Sequence, residues 1–253
     1  MSGHSKWSTI KHQKGQADAR RGKVFTKLAR EITVAARSGG PDPTMNSSLR
    51  LAIERARQSN MPMDNIDRAV KRASGQGGDN GASLEEIIYE GYSPGGAAIM
   101  VMALTDNRNR AASEIRKTFD RQNGKLGESG SVAWTFEHKG VITIEESLER
   151  AEEIALLAID MGAEDFMQDD SSLEIYTTPE TFEPLKEALL NQNIPTTRAE
   201  ITMMPKNLCS LAPREAEQTI RLLDTLEELD DVQRVHTNGD FPTEILERYN
   251  TTS

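Results

Sequence analysis

The 253-residue sequence is poor in the residues from which disulfide frameworks and metal sites are built. Its single cysteine, Cys209, excludes an internal disulfide and fits a reducing compartment. The four histidines show no paired-ligand spacing, so we expect no bound metal and no cofactor. Because no Ser–His–Asp or Cys–His grouping stands out either, no catalytic residue is predicted and the chain is not expected to be an enzyme.

Long apolar runs are also missing. No stretch of about 18 consecutive apolar residues occurs, so neither a transmembrane helix nor a membrane partner is predicted. The first 23 residues are basic and polar and lack the apolar centre of a secretory signal, which leads us to expect a cytoplasmic protein. Hydrophobic residues still make up 36% of the chain, enough to bury real cores in one to three domains.

Positive charge is in deficit overall but not everywhere. Lys and Arg number 30 against 40 Asp and Glu, a formal net charge of −10 that by itself argues against a nucleic-acid partner. Residues 1–75, however, hold 15 basic and 6 acidic residues, a net of +9, whereas residues 76–253 hold 15 and 34, a net of −19. This asymmetry predicts a polarised molecule whose first part attracts a polyanion.

Residues 1–75 are predicted to form a basic helical domain. Residues 1–21 are typical of a polar arm, and apolar residues at helical spacing predict helices over 22–38, 46–58 and about 62–73. Three helices joined by short turns indicate a small bundle. The last two helices could also pass for a helix-turn-helix, although many ordinary bundles share that pattern.

The candidate nucleic-acid contacts are the basic residues of this domain, an exposed tryptophan in its arm, and two arginines at a later helix start. On the first helix the basic residues fall opposite the apolar face. We therefore expect that reversing Lys23, Lys27 and Arg30 to glutamate abolishes nucleic-acid binding without unfolding the chain. The alternative interpretation of this basic face is that it is merely solvated and binds nothing. The candidates are Lys6, Trp7, Lys11, His12, Lys14, Arg20, Arg21, Lys23, Lys27, Arg30, Arg37, Arg50, Arg57, Arg68, Lys71, Arg72, Arg108 and Arg110.

A glycine-rich segment at 75–83 predicts a linker, after which strands and helices alternate. A hairpin over 86–105 comes first, then a helix over 107–122 that Asp106 is predicted to cap. A strand is predicted over 131–136. The turn at the start of the helix over 107–122 is either a phosphate contact or an ordinary solvated turn.

The remaining segments predict a second unit inserted into the first. Residues 140–204 follow the order βαββαβ, beginning with a strand over 141–144, and this order is typical of a ferredoxin-like unit. A helix over 213–229 and a strand over 232–236 are predicted to return to the first sheet. The predicted fold class is α+β multidomain, with a helical domain at 1–75, a discontinuous α/β domain at 83–137 plus 205–240, and a ferredoxin-like domain at 138–204.

Four segments of the chain resemble the YebC family, and the resemblance extends over essentially the whole sequence. These segments are SGHSKWSTIKHQKGQADARRGKVFTKLAREITVAAR, NSSLRLAIERARQSNMPMDNIDRAVKR, IYEGYSPGGAAIMVMALTDNRNR and GKLGESGSVAWTFEHKG. The resemblance implies an N-terminal helical domain, two α/β domains and a non-enzymatic regulator of gene expression. Ala111 departs from the threonine expected after TDNRNR, which concerns a local cap or contact only.

The resemblance leaves the cellular process open. The family includes bacterial proteins described as probable transcriptional regulators that bind DNA, and the mitochondrial translational activator of cytochrome c oxidase subunit one. The chain is therefore expected either to bind DNA and regulate transcription, or to associate with the ribosome, bind rRNA or tRNA and relieve stalled elongation. A third interpretation, suggested by the ferredoxin-like order alone, is a ligand-sensing or oligomeric scaffold module.

Overall fold

The structure is a computed structural model that describes residues 18–73, 84–145, 148–168 and 172–251. Within those ranges the chain begins with three helices, α1 (Asp18–Gly39), α2 (Ser47–Gln58) and α3 (Met63–Ala73). Helix α1 begins inside the stretch predicted to be an arm, because the residues just before Gly22 are good helix formers. The three helices otherwise lie where the apolar spacing predicts them.

The three helices enclose a small core of their own. Asn46 caps α2, since its side-chain oxygen accepts the backbone N–H of Leu49 at 3.0 Å. Leu49, Ile32 and Ile66, one from each helix, belong to this core and are almost completely buried. The turn between α2 and α3 places Asn60 in the left-handed region, with φ of 57°, which asparagine tolerates better than most residues. Local capping and burial together therefore fix the bundle.

The next unit is a four-stranded antiparallel sheet. Its strands, in spatial order, are β3 (Lys125–Leu126), β1 (Glu85–Tyr92), β2 (Ala98–Thr105) and β9 (Val232–Thr237). Two helices, α4 (Arg108–Arg121) and α7 (Pro213–Glu227), contribute Phe119 and Leu223 to its core. Strand β9 returns from far along the chain to pair with β2, as the sequence predicts.

The second sheet is formed by the residues between these two parts. Its strands, in spatial order, are β5 (Asp165–Gln168), β6 (Ser172–Thr177), β4 (Phe136–Glu145) and β7 (Arg198–Pro205), and all neighbours are antiparallel. Helices α5 (Leu148–Asp160) and α6 (Pro179–Asn191) add Ile154 and Leu185 to its core. This is the ferredoxin-like order, so the α+β fold class with one unit inserted in the other is confirmed. The domain boundaries at residues 75, 137 and 204 remain predictions.

Two features near the end of the chain are absent from the sequence prediction. Helix α8 (Thr243–Thr251) adds Ile245 and Leu246 to the core of the first sheet. Strands β8 (Cys209–Ser210) and β10 (Gly239–Asp240) form a short parallel pair. Each of these strands has two residues, too few to show an alternating pattern.

The strand predicted over 131–136 is wrong. A short 3₁₀ turn at Ala133–Thr135 precedes β4, which merges the end of that prediction with the strand predicted over 141–144. The cause is Glu90, a buried residue on β1 whose carboxylate accepts three backbone N–H groups that a strand would otherwise use for pairing. The donors are Gly130 at 2.6 Å, Val132 at 2.7 Å and Ala133 at 2.8 Å.

The helical bundle contacts both sheets. Leu51 of α2 is buried in the core of the ferredoxin-like unit, and Lys186 Nζ of α6 lies 2.5 Å from Glu54 Oε2 of α2. On the other side, Arg234 Nη2 of β9 lies 3.0 Å from Glu31 Oε1 of α1. These contacts fix the bundle against the two α/β units. No helix among the described residues combines the length and the apolar character needed to cross a membrane.

Candidate nucleic-acid interface

Part of the predicted set belongs to the N-terminal arm. Arg20 and Arg21 lie in the first turn of α1, which shows that this end of the arm is helical. The remaining arm candidates lie outside the described residues, and they are Lys6, Trp7, Lys11, His12 and Lys14. The structure therefore locates the predicted contacts from the bundle onward.

A groove between α1 and α3 brings four of the predicted arginines together. It has a volume of about 510 Å³, and Arg30 and Arg37 of α1 face it together with Arg68 and Arg72 of α3. Two predicted basic surfaces, on helices separated in sequence by α2, thus become one concave site. Its remaining lining residues are Phe25, Thr26, Ala29, Thr33, Met61, Asn65, Ala69, Leu84 and Asp106.

Helical periodicity explains why these side chains share one space. Arg30 and Arg37 are seven residues apart on α1, and Arg68 and Arg72 are four apart on α3, so each pair lies on one face of its helix. Thr33 holds the two faces together. Its buried hydroxyl lies 2.8 Å from the Ala29 carbonyl oxygen and 3.2 Å from that of Ala69, across the helix contact.

The four arginines differ in what they already bind. Arg37 and Arg72 are exposed and make no hydrogen bond or ion pair with another described residue. Arg68 bonds to its own helix, through Nε to the Asp64 carbonyl at 3.1 Å and through Nη2 to the Asn65 side chain. Arg37 and Arg72 are therefore the guanidinium groups of the groove that are most available to an anionic ligand.

The first half of the basic face of α1 is occupied by the protein itself. Its three cations donate hydrogen bonds to carbonyl oxygens at and just after the end of α7, where helix carbonyls lack partners and carry partial negative charge. The bonds run from Lys23 Nζ to Glu228 at 3.4 Å, from Lys27 Nζ to Glu227 at 2.5 Å and from Arg30 Nη1 to Asp230 at 2.6 Å. Reversing these residues would thus also disturb a contact between domains, which the sequence alone does not show.

Asp231 lies at the centre of this contact. Its carboxylate is buried and accepts hydrogen bonds from Arg30 at 3.3 Å, from Arg110 at 2.9 Å and from the Thr105 hydroxyl at 2.9 Å. The hydrogen bond with Asp231, followed by the one with Asp106, raises the pKa of Arg110. Arg110 is thus already bonded to two carboxylates. Arg108, two residues before it, is also exposed.

The helix start at this point is capped differently from the prediction. Asn107, not Asp106, caps α4, because its Oδ1 accepts the backbone N–H of Arg110 at 3.0 Å. Asp106 pairs instead with the Arg110 side chain at 2.8 Å, and it also lines the groove. The predicted cap is therefore displaced by one residue.

The other predicted cations lie outside the lining of the groove. Arg50 donates to the Pro43 carbonyl at 3.1 Å, while Arg57 and Lys71 are exposed. Sequence reasoning missed Asn65, which the helical spacing to Arg68 and Arg72 could have identified. It had no comparable signal for Leu84, which follows the glycine-rich segment at 75–83 in the sequence.

Two observations concern other kinds of chemistry. Among the described residues, no group of three or more His, Cys, Asp or Glu side chains could hold a metal ion. Burial, and then the charge of Glu215, raise the pKa of the Cys209 thiol, the opposite of what activates a nucleophilic cysteine.

Comparison with known proteins assigns the chain to a family. Residues 5–76 match the TACO1/YebC protein N-terminal domain, and residues 84–239 match the TACO1/YebC second and third domain. Probable transcriptional regulatory proteins of Dehalococcoides mccartyi strain BAV1 and Desulfosudis oleivorans are each 51% identical, covering 99% and 98% of this chain and 99% and 100% of their own. The crystal structure of a conserved hypothetical protein from Aquifex aeolicus is 47% identical, with a TM-score of 0.79 over 90% of this chain and 93% of that one. The chain therefore belongs to the TACO1/YebC family.

Proposed function

We propose that this protein is a non-enzymatic, cytoplasmic regulator of gene expression that binds nucleic acid through the groove between α1 and α3. The observation that carries the proposal is the convergence of Arg30, Arg37, Arg68 and Arg72 on one concave surface. In a chain with a net charge of −10, such a concentration of guanidinium groups needs a physical explanation. A phosphodiester backbone provides one, because phosphates release counterions when arginines neutralise them.

The distribution of charge supports the same proposal. One guanidinium group can donate two parallel hydrogen bonds to the oxygens of one phosphate. Arg37 and Arg72 lack a described partner that would compete for these donors. The acidic α/β units would repel a polyanion, so that it approaches the bundle in preference to the rest of the surface. The name shared by the relatives, probable transcriptional regulatory protein, favours DNA and transcription as the starting hypothesis.

The test compares two charge reversals of equal size. Arg37→Glu with Arg72→Glu changes the groove, and Arg116→Glu with Lys117→Glu changes exposed cations on α4 by the same amount. Binding of labelled DNA and RNA is followed by fluorescence anisotropy at several salt concentrations. We expect the groove variant to lose about tenfold or more in affinity and to lower the salt slope by about 2, with little change in the control.

Three outcomes would overturn the proposal. They are binding that does not depend on salt, a groove variant that binds as well as the control variant, and a wild-type protein that binds neither nucleic acid. The cellular process is resolved by sedimenting lysate through sucrose with and without nuclease. Migration with ribosomes would replace DNA by ribosomal RNA as the ligand, and migration apart from them would support the transcriptional role.

A further inference from the structure

We infer that the groove accepts a single strand, with an unpaired nucleotide held between α1 and α3, in preference to a duplex. This inference rests on the proposed function and specifies its ligand. It follows from the shape of the site, from the chemistry of its lining and from the α3 cations that belong to this lining.

The shape of the site is concave. Proteins read a duplex with an element that protrudes, usually a helix that enters the major groove. Here the guanidinium groups surround a cleft of about 510 Å³, which lies in the range of about 300–1,000 Å³ typical of sites that enclose small molecules. A nucleotide can enter such a cleft, whereas a duplex can only lie across its rim.

Part of the groove lining is apolar and can contact a base. Phe25 and Met61 belong to this part, and Phe25 is only partly buried, so its ring is accessible from the groove. Single-strand sites combine a basic groove with aromatic side chains on which bases stack, because every base has a π-face. Asn65 and Asp106 bring an amide and a carboxylate to the same space, groups that can bond the edge of an unpaired base.

Two of the three exposed cations of α3 line the cleft. Arg72 lines the cleft, and Arg68, which also lines it, is bonded to the Asp64 carbonyl and to Asn65. Among the three α3 cations in the set of predicted contacts, only Lys71 lies outside the lining. The orientation of Arg68 and Arg72 therefore favours a ligand that enters between the helices over one that α3 would penetrate.

The experiment uses the full-length protein with a 12-nucleotide single strand and the blunt duplex of the same sequence, in DNA and RNA forms. Anisotropy titrations should give at least about tenfold tighter binding of the single strand at equal phosphate concentration. Phe25→Leu, which keeps an apolar side chain but removes the ring, should weaken single-strand binding about fivefold or more. Phe25→Tyr should restore it. The salt slope should not change in either variant, because no charge is lost.

A second measurement does not depend on any variant. A strand carrying 2-aminopurine changes its fluorescence when the modified base stacks on a ring, so wild-type protein alone should alter the signal. Equal or tighter duplex binding, an unchanged affinity in a folded Phe25→Leu variant, or no change in 2-aminopurine fluorescence would overturn the single-strand inference. Each of these outcomes would leave the proposed function intact. Failure of both ligands to bind would overturn the proposed function itself.

Discussion

The two halves of α1 carry positive charge on the same helical face but meet different surroundings. Lys23 and Lys27, in the first half, donate hydrogen bonds to carbonyl oxygens at the end of α7. Arg37, in the second half, faces an open groove and bonds no other described residue. Arg30 lies between them and does both, since it lines the groove and bonds Asp230 and Asp231. Helical spacing thus assigns a residue to a face, but the neighbouring domain decides what that face binds.

The largest effect on stability is expected at Asp231, the buried acid that the first half of α1 contacts. Asp231→Ala leaves Arg30, Arg110 and the Thr105 hydroxyl without their common acceptor. We expect the free energy of unfolding to fall by about 3 kcal/mol, below the full value for a buried pair because both arginines are partly exposed. Urea unfolding of the variant and the wild type at pH 7 measures this difference in the free energy of unfolding.

The neighbouring residue supplies a matched control for this variant. Asp230 is exposed and contributes only its backbone carbonyl to Arg30, so Asp230→Ala should change stability by less than about 0.5 kcal/mol. Similar losses in the two variants would mean that general negative charge, and not the buried carboxylate, holds α1 against this domain.

A smaller effect is expected at Glu90, a buried carboxylate held by neutral donors instead of arginines. Burial alone would raise the pKa of Glu90, but the N–H groups of Gly130, Val132 and Ala133 together lower it below the ordinary 4.5. A lowered pKa in the folded state means that the contribution to stability is full above 4.5 and is lost as the pH falls through the folded-state value. Glu90→Gln should cost about 2 kcal/mol at pH 7 and less at pH 3.

Unfolding curves at several salt concentrations sharpen the contrast with α1. The stability lost in Glu90→Gln should hardly depend on salt, because none of the described cations pairs with Glu90, whereas the loss in Asp231→Ala should shrink as salt screens the arginines. A Glu90 variant that is as stable as wild type at pH 7 would contradict the role assigned to this carboxylate.

The smallest effects test the two halves of α1 directly. Lys27→Met should lower the free energy of unfolding by about 0.5 kcal/mol, because one partly buried cation at a helix end contributes little, and it should change affinity less than about twofold. Arg37→Met should leave stability unchanged and weaken nucleic-acid binding about threefold, the effect of one phosphate contact. Equal losses of affinity in both variants would show that the whole face of α1 reaches the ligand.

Local patterns in the sequence are sufficient to predict most of the fold. The apolar spacing that buries Ile32, Leu49 and Ile66 is visible in short windows, and so is the alternation of strands and helices from 84 onward. Errors arise where a distant residue intervenes. Glu90, about forty residues away, prevents a strand at 131–135, and nothing near those positions reveals this contact.

The same limit applies to the candidate site. Helical spacing is sufficient to place Arg30 and Arg37 on one face, and Arg68 and Arg72 on another. It cannot show that the two faces meet, because this depends on packing between helices that α2 separates. It is even less able to show that Lys23 bonds to Glu228, a residue 205 positions away. Sequence patterns thus identify the charged faces, and tertiary packing selects those that remain available.

Part of the groove lining comes from another domain, since Leu84 and Asp106 fall within the match to the second and third domain while the four arginines belong to the bundle. The width of the groove therefore depends on how the bundle sits against the first sheet, which the contact between Arg30 and Asp231 helps to fix. Ligand binding and domain arrangement must then be thermodynamically linked. A ligand can bind this domain arrangement more tightly than a looser arrangement. It then favours the tighter arrangement by the ratio of the two affinities, so binding in the groove changes how the domains are arranged.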